Sequence, residues 1–308
     1  MNPEPNLKEV VDSFLVEQSK DPPPMLWHYT NTRGMLGILS SGKLWATHTQ
    51  FLNDASEMLY AHAVLAGSIG CAFYSWKYFT KDRLSDRFLN ELGKTIGKYL
   101  PICVISFSET KNELSQWRAY GGESGSFSLG FTPDLLQKYS KLQKTTKFNL
   151  YRCIYDESEQ LRLCERFVSA SLNAFFESRR VEEDAENSIP RICEEASHCF
   201  MMFAPLIKHR DFKQEAEWRL VSDGLELAKK PFHFREGKTC AVPYIEFSLT
   251  EDSLENPASQ SGMNPVHLLI GPPQVYSLRD LPDESLASCA DFKLTPQIER
   301  SLTPHRKV

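Results

Sequence analysis

Residues 25–45, with the sequence MLWHYTNTRGMLGILSSGKLW, combine the signals that decide the fold. The first residues alternate as in a strand, and either Asn31 or Thr32 can cap the start of the helix that follows. Gly42 then ends that helix, and residues 43–47 resume an extended pattern. The stretch therefore predicts a strand, a helix and a second strand.

Helical periodicity recurs on both sides of this stretch. Residues 7–16 predict a flanking helix, which the prolines at 22, 23 and 24 end. Apolar stripes predict further helical regions over 56–99, 160–177 and 190–207, with a short helix at 114–120. We therefore expect a flanking N-terminal segment over 1–24 and helical insertions at about 56–99 and 158–208.

Strand-forming runs separate the helical regions. They predict strands at 102–107, 126–131, 150–155, 217–222, 231–235, 240–247 and 266–270. Residues 250–264 are interpreted as a surface loop and 296–308 as a polar tail. No change in composition divides the chain, so the sequence predicts one α+β domain over residues 25–306.

Composition and charge limit the classes of function. The 308 residues carry a formal net charge of -5, which is not the positive field that non-specific nucleic-acid binding needs. The apolar runs 101–106 and 266–270 fall far short of the ~20 residues that span a bilayer, and residues 1–6 show no secretory signal. We therefore expect a cytoplasmic protein with no membrane partner.

The eight cysteines contain no Cys-x-x-Cys pair, and several fall inside apolar runs. Because free cysteine is among the most buried residue types, we interpret them as reduced core residues. The sequence also lacks the motifs of zinc peptidases, serine hydrolases and phosphate-binding loops. These observations assign no metal site.

The first polar group of interest lies in the opening strand. Strand alternation puts His28 and Thr30 on one face and Trp27 and Tyr29 on the other. His28 is therefore a candidate for ligand contact near a polar turn. The alternative is a histidine that only bonds a neighbouring backbone group.

A second group begins with Ser106 and Ser108, two hydroxyls on one face of a buried strand that need hydrogen-bond partners. The short helix after this strand contains Trp117, Arg118 and Tyr120. The guanidinium of Arg118 suits a phosphate or carboxylate, and the two aromatic rings suit stacking on a base or nicotinamide. The alternative is a surface arginine beside two core aromatics.

The third group is Glu215 and Glu217, which would share one strand face opposite Trp218 and Leu220. Two carboxylates so close repel each other, which raises the pKa of one and suits proton transfer or binding to vicinal sugar hydroxyls. A solvated strand edge would explain the same pattern.

Taken in order, these segments resemble a bacterial family of largely uncharacterised proteins, often encoded near abortive-infection and phage-defence genes. The resemblance covers about residues 26–306, and the ordered set of motifs is specific although each motif is common. The motifs are His28-Tyr29-Thr30, Gly37-Ile38-Leu39, Ser41-Gly42-Lys43-Leu44-Trp45, Phe51-Leu52-Asn53-Asp54 with Glu57, Ser106-Phe107-Ser108, Trp117-Arg118-Ala119-Tyr120, Gly130-Phe131, Phe212 with Glu215-Ala216-Glu217-Trp218-Arg219, Pro243-Tyr244-Ile245, Ile270-Gly271-Pro272 and Ser301-Leu302-Thr303-Pro304.

More distantly, the opening strand and helix resemble the start of the ADP-ribosyltransferase fold. This resemblance implies a split antiparallel β core with helical insertions, and NAD as the substrate. In such enzymes a His or Arg of the first strand contacts the adenosine ribose, and hydroxyls of a second strand support the nicotinamide ribose. A Glu of a later strand binds the 2′-hydroxyl of that ribose. His28, Ser106 with Ser108, and Glu217 preceded by Glu215 occur in this order here.

The resemblance also implies a role for each residue. Glu217 would stabilise the positive charge that develops on the ribose as the N-glycosidic bond breaks, and Glu215 would activate the acceptor nucleophile. Tyr29 or Tyr120 would stack on nicotinamide, and Arg118 would hold the pyrophosphate. The catalytic set is thus Glu217, Glu215 and His28, and the residues expected to bind NAD are His28, Tyr29, Thr30, Ser106, Ser108, Trp117, Arg118 and Tyr120.

We therefore expect an NAD-dependent ADP-ribosyltransferase that acts as an intracellular, toxin-like effector in phage defence. Its acceptor would be a protein or a nucleic acid, and a neutralising antitoxin or chaperone is a further candidate partner. One alternative is a non-catalytic module that senses a phage component through Trp117, Arg118, Tyr120, Asn53 and Asp54. Another is a nuclease whose Mg²⁺ is bound by Asp54, Glu57, Glu215 and Glu217.

Overall fold

A computed structural model describes residues 5–52, 56–79, 82–96, 101–121, 125–144, 146–181, 185–224, 232–237, 240–250, 265–272 and 292–301. The helices in these residues are α1 (Leu7–Gln18), α2 (Thr32–Ser41), α3 (Ser56–Phe79), α4 (Arg83–Thr95), α5 (Leu114–Tyr120), α6 (Pro133–Leu142), α7 (Glu157–Val181) and α8 (Ala185–Phe203). The strands are β1 (Leu26–Asn31), β2 (Lys43–His48), β3 (Cys103–Ser108), β4 (Ser126–Phe131), β5 (Phe148–Arg152), β6 (Glu217–Ser222), β7 (His233–Glu236), β8 (Ala241–Ser248), β9 (Pro265–Ile270) and β10 (Thr295–Arg300). Short 3₁₀ helices occupy Thr49–Phe51, Ala204–Leu206 and Arg210–Glu215.

The opening stretch folds as its sequence predicts. The side chain of Asn31 caps α2 by accepting a hydrogen bond from the backbone N–H of Gly34 at 3.0 Å. Gly42 ends the helix with a left-handed φ of 65°, which glycine adopts without steric cost. Strand, helix and strand therefore follow one another directly, and the mixed helix and strand content confirms the α+β prediction.

The sheet divides at β3. β6 pairs with β3 from Val104↔Val221 to Ser108↔Glu217. On the opposite edge β2 pairs with the start of β3, whereas β1 pairs with its end at Trp27↔Ser108. Two arms, β1-β4-β9-β10 and β2-β8-β7, therefore diverge from one strand. Because β9 and β10 are parallel, the sheet is mixed, which corrects the expectation of a purely antiparallel core.

The two faces of the sheet are covered differently. On one face Leu26, Ile105 and Trp218 pack in a core with the apolar residues of α2 and α6. On the other face Val104 and Val221 pack in a second core with α1, α3, α4, α7 and α8. Burial of these side chains supplies the main driving force for folding. Near the division of the sheet, this second face carries polar side chains.

The helices of the two predicted insertions pack against each other. The rings of Phe88 in α4 and Phe175 in α7 stack with their centroids 4.8 Å apart. α8 begins earlier than the predicted residue 190, and Pro190 lies inside it. The preceding residue, Ile189, is fully buried, so packing offsets the backbone hydrogen bond that the proline removes.

One segment of α3, Ser56–Ser75, is long and apolar enough by length and composition to cross a membrane. In this structure α3 packs against α7 and α4. Its Glu57 carboxylate is largely buried and forms ion pairs with Lys208 and Arg219. Core helices of soluble proteins pass the same test, so the segment is weak evidence for a membrane association.

Three details differ from the sequence prediction. Helix α6 was not predicted, and β10 begins where a polar tail was expected, because backbone pairing with β9 needs no apolar side chains. The prediction that the cysteines are core residues is wrong for Cys71 and Cys240, which are exposed. All seven cysteines within the described ranges are free thiols, and Cys289 lies outside those ranges.

Candidate active site

A polar cleft lies where β1 and β3 meet, beside the division of the sheet. Its empty volume is about 330 Å³, which includes part of the open solvent. The residues that line it come from β1, β3, α5, the Arg210–Glu215 helix and β6: Trp27, His28, Tyr29, Ser106, Phe107, Ser108, Gln116, Tyr120, Glu215 and Glu217. The fold thus brings together most of the residues expected to bind NAD. Thr30, Trp117 and Arg118 do not line the cleft.

His28 of β1 forms a hydrogen bond to the backbone of β3, beside the division of the sheet. Its Nδ1 lies 2.9 Å from the carbonyl oxygen of Ser106. A carbonyl only accepts, so Nδ1 carries the proton and Nε2 is left as an acceptor. Burial lowers the pKa of His28, with a further contribution from the charge of Arg235, so the ring is neutral at pH 7. Within the described chain Nε2 has no hydrogen-bond partner.

The two serines of β3 have different surroundings. The hydroxyl of Ser108 donates to the carbonyl of Glu215 at 2.7 Å and accepts from the backbone N–H of Thr110 at 3.0 Å. The hydroxyl of Ser106 is half-buried and has no partner among the residues that the structure covers. Ser108 therefore holds the turn after β3, whereas Ser106 has a hydroxyl available to a ligand.

Helix α5 presents one side to the cleft. Gln116 and Tyr120, four residues apart, both line it, as the helical repeat requires. Burial raises the pKa of Tyr120 to about 12, and the nearby carboxylates of Glu217 and Glu215 add to that effect. The Tyr120 side chain is therefore a neutral phenol next to two acidic groups.

The other aromatic residues are fixed by the fold. Trp117 is 1% exposed, and its indole N–H donates to the side chain of Asn112 at 2.8 Å. The Tyr29 hydroxyl donates to the carbonyl of Thr110 at 2.6 Å and accepts from the N–H of Glu113 at 3.0 Å. Of the aromatic residues expected to stack on a ligand, Tyr120 is thus the one whose hydroxyl no described residue engages.

Arg118 is exposed on α5 and lies two residues from both Gln116 and Tyr120. Two residues correspond to about 200° around a helix, so Arg118 points away from the cleft. The expected sensing surface of Trp117 and Arg118 is accordingly divided between core and solvent. Of its other members, Tyr120 lines the cleft, and Asn53 and Asp54 lie outside the described residues.

The two glutamates do not share a strand face, which corrects the sequence prediction. Glu215 ends the Arg210–Glu215 helix, and Glu217 is the first residue of β6. Between them Ala216 has φ 41° and ψ 55°, a left-handed conformation that reverses the direction of the chain. The carboxylates nevertheless meet, because both bind the ammonium group of Lys208.

A charge cluster, which consists of Glu57, Lys208, Glu215, Glu217 and Arg219, lies under the cleft. The Lys208 ammonium contacts Glu57 at 3.2 Å, Glu217 at 2.6 Å and also Glu215. The Arg219 guanidinium bonds Glu217 through Nε at 2.7 Å and Glu57 through Nη2 at 2.6 Å. Three carboxylates and two cations leave one net negative charge, largely shielded from water.

The cluster gives Glu215 and Glu217 different pKa values. Burial alone would raise the pKa of Glu217, but Arg219 and Lys208 outweigh it and lower the pKa to about 2. Burial raises the pKa of Glu215 despite the contact with Lys208. Its side chain is 24% exposed, and only one of its oxygens bonds Lys208. Glu217 is therefore a permanent anion, and Glu215 is a carboxylate that can exchange a proton.

The carboxylates expected to bind Mg²⁺ come together only in part. Glu57, Glu215 and Glu217 surround Lys208 and Arg219, which take the place that a cation would occupy. Asp54 lies outside the described residues. Among the residues that the structure covers, no group of three or more acidic, His or Cys side chains is arranged to bind a metal ion.

Sequence reasoning missed the two cations of the cluster and the amide of Gln116. Arg219 follows Glu217 by two residues, so strand alternation could have placed both on one face. Lys208 follows the buried residues Leu206 and Ile207, and a lysine in such surroundings needs anionic partners. No comparable sequence signal marks Gln116.

These features define an α+β domain in which a divided sheet forms a polar cleft above a buried charge cluster. Residues 116–220 match the family model described as Protein of unknown function (DUF2971). The match runs from α5 into β6 and includes Lys208, Glu215, Glu217 and Arg219, but not β1 to β3. No curated protein and no solved structure matches the chain.

Proposed function

We propose that the protein is an NAD-dependent ADP-ribosyltransferase whose reaction takes place in the cleft between β1, β3 and β6. The observation that carries this proposal is that His28, Ser106, Tyr120, Glu215 and Glu217 line one cleft although they are far apart in the sequence. A neutral imidazole acceptor, a hydroxyl, an aromatic ring and two carboxylates of different acidity are the groups that a ribose and a nicotinamide ring require.

In the proposed reaction the bond between ribose C1′ and the nicotinamide nitrogen breaks, and its electron pair leaves with nicotinamide. Positive charge develops on the ribose, which the permanent anion of Glu217 stabilises. Glu215 accepts the proton of the acceptor nucleophile as that nucleophile attacks C1′. Nε2 of His28 and the hydroxyl of Ser106 are available to bond ribose hydroxyls.

The test is release of nicotinamide from NAD by the purified protein, together with transfer of label from adenine-labelled NAD to cell lysate. We expect Glu217→Gln to reduce the rate by about 100-fold or more, a magnitude typical of a lost electrostatic group. Glu236→Gln is the matched control, because its carboxylate is 84% exposed and its ion pair among the described residues is with Arg33, at 3.9 Å.

Ser106→Ala is a second variant, because this hydroxyl bonds no described residue and its loss should leave the fold intact. We expect a slower reaction with an unchanged melting temperature. If the wild-type protein neither releases nicotinamide nor transfers label, the transferase proposal fails.

The proposal extends to an intracellular, toxin-like effector of phage defence with a protein or nucleic-acid acceptor. Its support is the resemblance of the sequence motifs. The corresponding test is growth of cells that produce the wild-type protein or Glu217→Gln, with and without phage. Equal growth under all conditions would contradict an effector role.

A second candidate is a module that binds a nucleotide without turning it over. The observation that favours it is that Arg219 and Lys208 already bond both oxygens of Glu217, whose side chain is 6% exposed. Ligand binding by wild-type protein without any release of nicotinamide would identify this function.

A further inference from the structure

The described lining of the cleft contains no cation that is free to bind a phosphate. Lys208 and Arg219 below it are 2% and 3% exposed and are bound to carboxylates. Lys111, whose ammonium lies 5.4 Å from the centre of the Trp27 ring, is paired with Glu299. The neutral ring of His28 supplies no charge, and Arg118 points away. A nucleotide that places its ribose in the cleft therefore needs a cation from the surface next to it.

The other arm of the sheet carries a row of aromatic rings on the same face. Trp45 of β2 stacks on Tyr244 of β8 with centroids 4.5 Å apart and an angle of 30° between the planes. His233 of β7 lies against the opposite side of Tyr244, at 5.5 Å and 32°. Trp45 is 42% exposed, so part of its ring is open to a ligand.

Arg235 lies beside these rings. Its Nη2 donates to the hydroxyl of Thr47 at 2.8 Å, and its guanidinium carbon lies 6.0 Å from the centre of the Trp45 ring. In the described part of the chain it has no carboxylate partner. Burial lowers its pKa, so the fold holds this charge at a cost. A half-buried arginine without an acidic partner is suited to an anionic ligand.

This surface adjoins the cleft. Thr47 pairs with Val104 of β3, and Ser106 follows on the same face two residues later, roughly 7 Å along the strand. The charge of Arg235 also acts on the ring of His28, which lines the cleft. One ligand of nucleotide length can therefore contact both sites.

We infer that Trp45, Tyr244, Thr47 and Arg235 form a nucleotide subsite, in which the base stacks on Trp45 and a phosphate binds Arg235 and Thr47. The inference rests on the proposed function for the identity of the ligand in the cleft, but the subsite is defined by its own residues. The same chemistry would suit the adenylate end of NAD or a nucleotide of the acceptor.

The experiment measures the Kd of ADP by titration calorimetry. We expect Arg235→Met to weaken binding about tenfold or more, as the loss of a charge-assisted hydrogen bond to phosphate does. Arg235→Lys should fall between, because it keeps the charge but not the planar fork. Arg33→Met is the matched control, since this arginine is 88% exposed and its guanidinium lies 3.9 Å from Glu236, the residue after Arg235.

Trp45→Leu is the second variant, since an exposed ring can be replaced without unfolding the sheet. It should also weaken ADP binding about tenfold, in line with the loss of base stacking. Failure of ADP to bind the wild-type protein, or an unchanged Kd in both Arg235→Met and Trp45→Leu, would overturn the inference.

Competition with NAD distinguishes the two sources of the nucleotide. If NAD displaces ADP, the subsite takes the adenylate end of NAD; if both bind together, it takes a nucleotide of the acceptor. Weakened ADP binding in Arg235→Met without nicotinamide release by the wild type supports the subsite and rejects the transferase. Nicotinamide release with unchanged ADP binding in both variants does the reverse.

Discussion

Arg219 and Arg235 lie on the same face of the sheet, and their surroundings are opposite. Arg219 is 3% exposed and bonds two carboxylates and the carbonyl of Pro205. Arg235 is half-buried and bonds a single hydroxyl, that of Thr47, within the described residues. Arg219 makes four hydrogen bonds with its five N–H donors and is fixed in place, whereas Arg235 has spare donors that are available to a ligand. This face therefore has a structural part around Arg219 and a binding part around Arg235.

The largest effect should come from breaking the charge cluster at Lys208. Lys208→Met leaves the three carboxylates with Arg219 alone, and an uncompensated buried charge costs about 3–5 kcal/mol of the free energy of unfolding. Urea denaturation measures this loss. Lys94→Met is the control, because its side chain is 74% exposed and its pair with Glu91 spans 3.6 Å. Equal denaturation midpoints for the two variants would show that the cluster does not hold the fold.

The pH dependence of stability should reveal the same cluster. The pKa of Glu217 falls from 4.5 to about 2 on folding, so its contribution is complete above pH 4.5 and is lost as the pH falls toward 2. By linkage the contribution is about 3 kcal/mol. Glu215 acts in the opposite sense, because its pKa is raised and its ionisation costs stability. Glu217→Gln should make the acid-side decline shallower, which unfolding curves between pH 2 and 6 would measure; an equally steep decline in the variant would contradict this.

The proposed reaction should depend on the raised pKa of Glu215. A base must be deprotonated, so the rate of nicotinamide release should fall as the pH drops through that pKa, at a pH above the ordinary glutamate value of 4.5. Glu215→Gln should lower the rate about 100-fold and remove this acid limb. A pH profile that is identical in the variant would assign the limb to another group.

The smallest effect concerns the stability of the binding part. Because burial disfavours the charge of Arg235, Arg235→Met should change the free energy of unfolding by less than about 1 kcal/mol, toward higher stability. Thermal unfolding, with Arg33→Met as reference, measures it. A large loss of stability would place Arg235 in the same structural class as Arg219.

Local signals predicted much of the fold. The capping residue Asn31 and the terminating Gly42 predicted the position of α2 between β1 and β2. β6 has the same bounds as the predicted strand, 217–222. The pairing of β1 and β2 with the same strand, β3, was not predictable in this way, because pairing depends on contacts far apart in the sequence. The antiparallel core implied by resemblance failed at β10 for the same reason.

The candidate site was predictable where strand alternation determines the direction of a side chain. Alternation placed the hydroxyl of Ser106 on a strand face, and Ser106 lines the cleft. Glu217 also lines the cleft, although the strand face that it was expected to share with Glu215 was wrong. Arg118 was expected to bind the ligand but points away from the cleft, because a sequence motif alone does not show which side of a short helix faces the protein. Lys208 was missed because its role depends on carboxylates that only the folded chain brings near. Arg235 was missed because its role depends on having no carboxylate nearby among the described residues, which only the fold shows.

The left-handed residue between the two glutamates has a consequence for substitutions. In a continuous strand both carboxylates would approach Lys208 from one face of β6, whereas here Glu215 ends the preceding helix and its carboxylate reaches the same ammonium group from there. Ala216, between the two glutamates, has a left-handed backbone conformation. Glycine adopts this conformation more easily than alanine, and a β-branched side chain disfavours it. Ala216→Val would keep every charged group of the motif but would lose the backbone conformation that brings both carboxylates to Lys208.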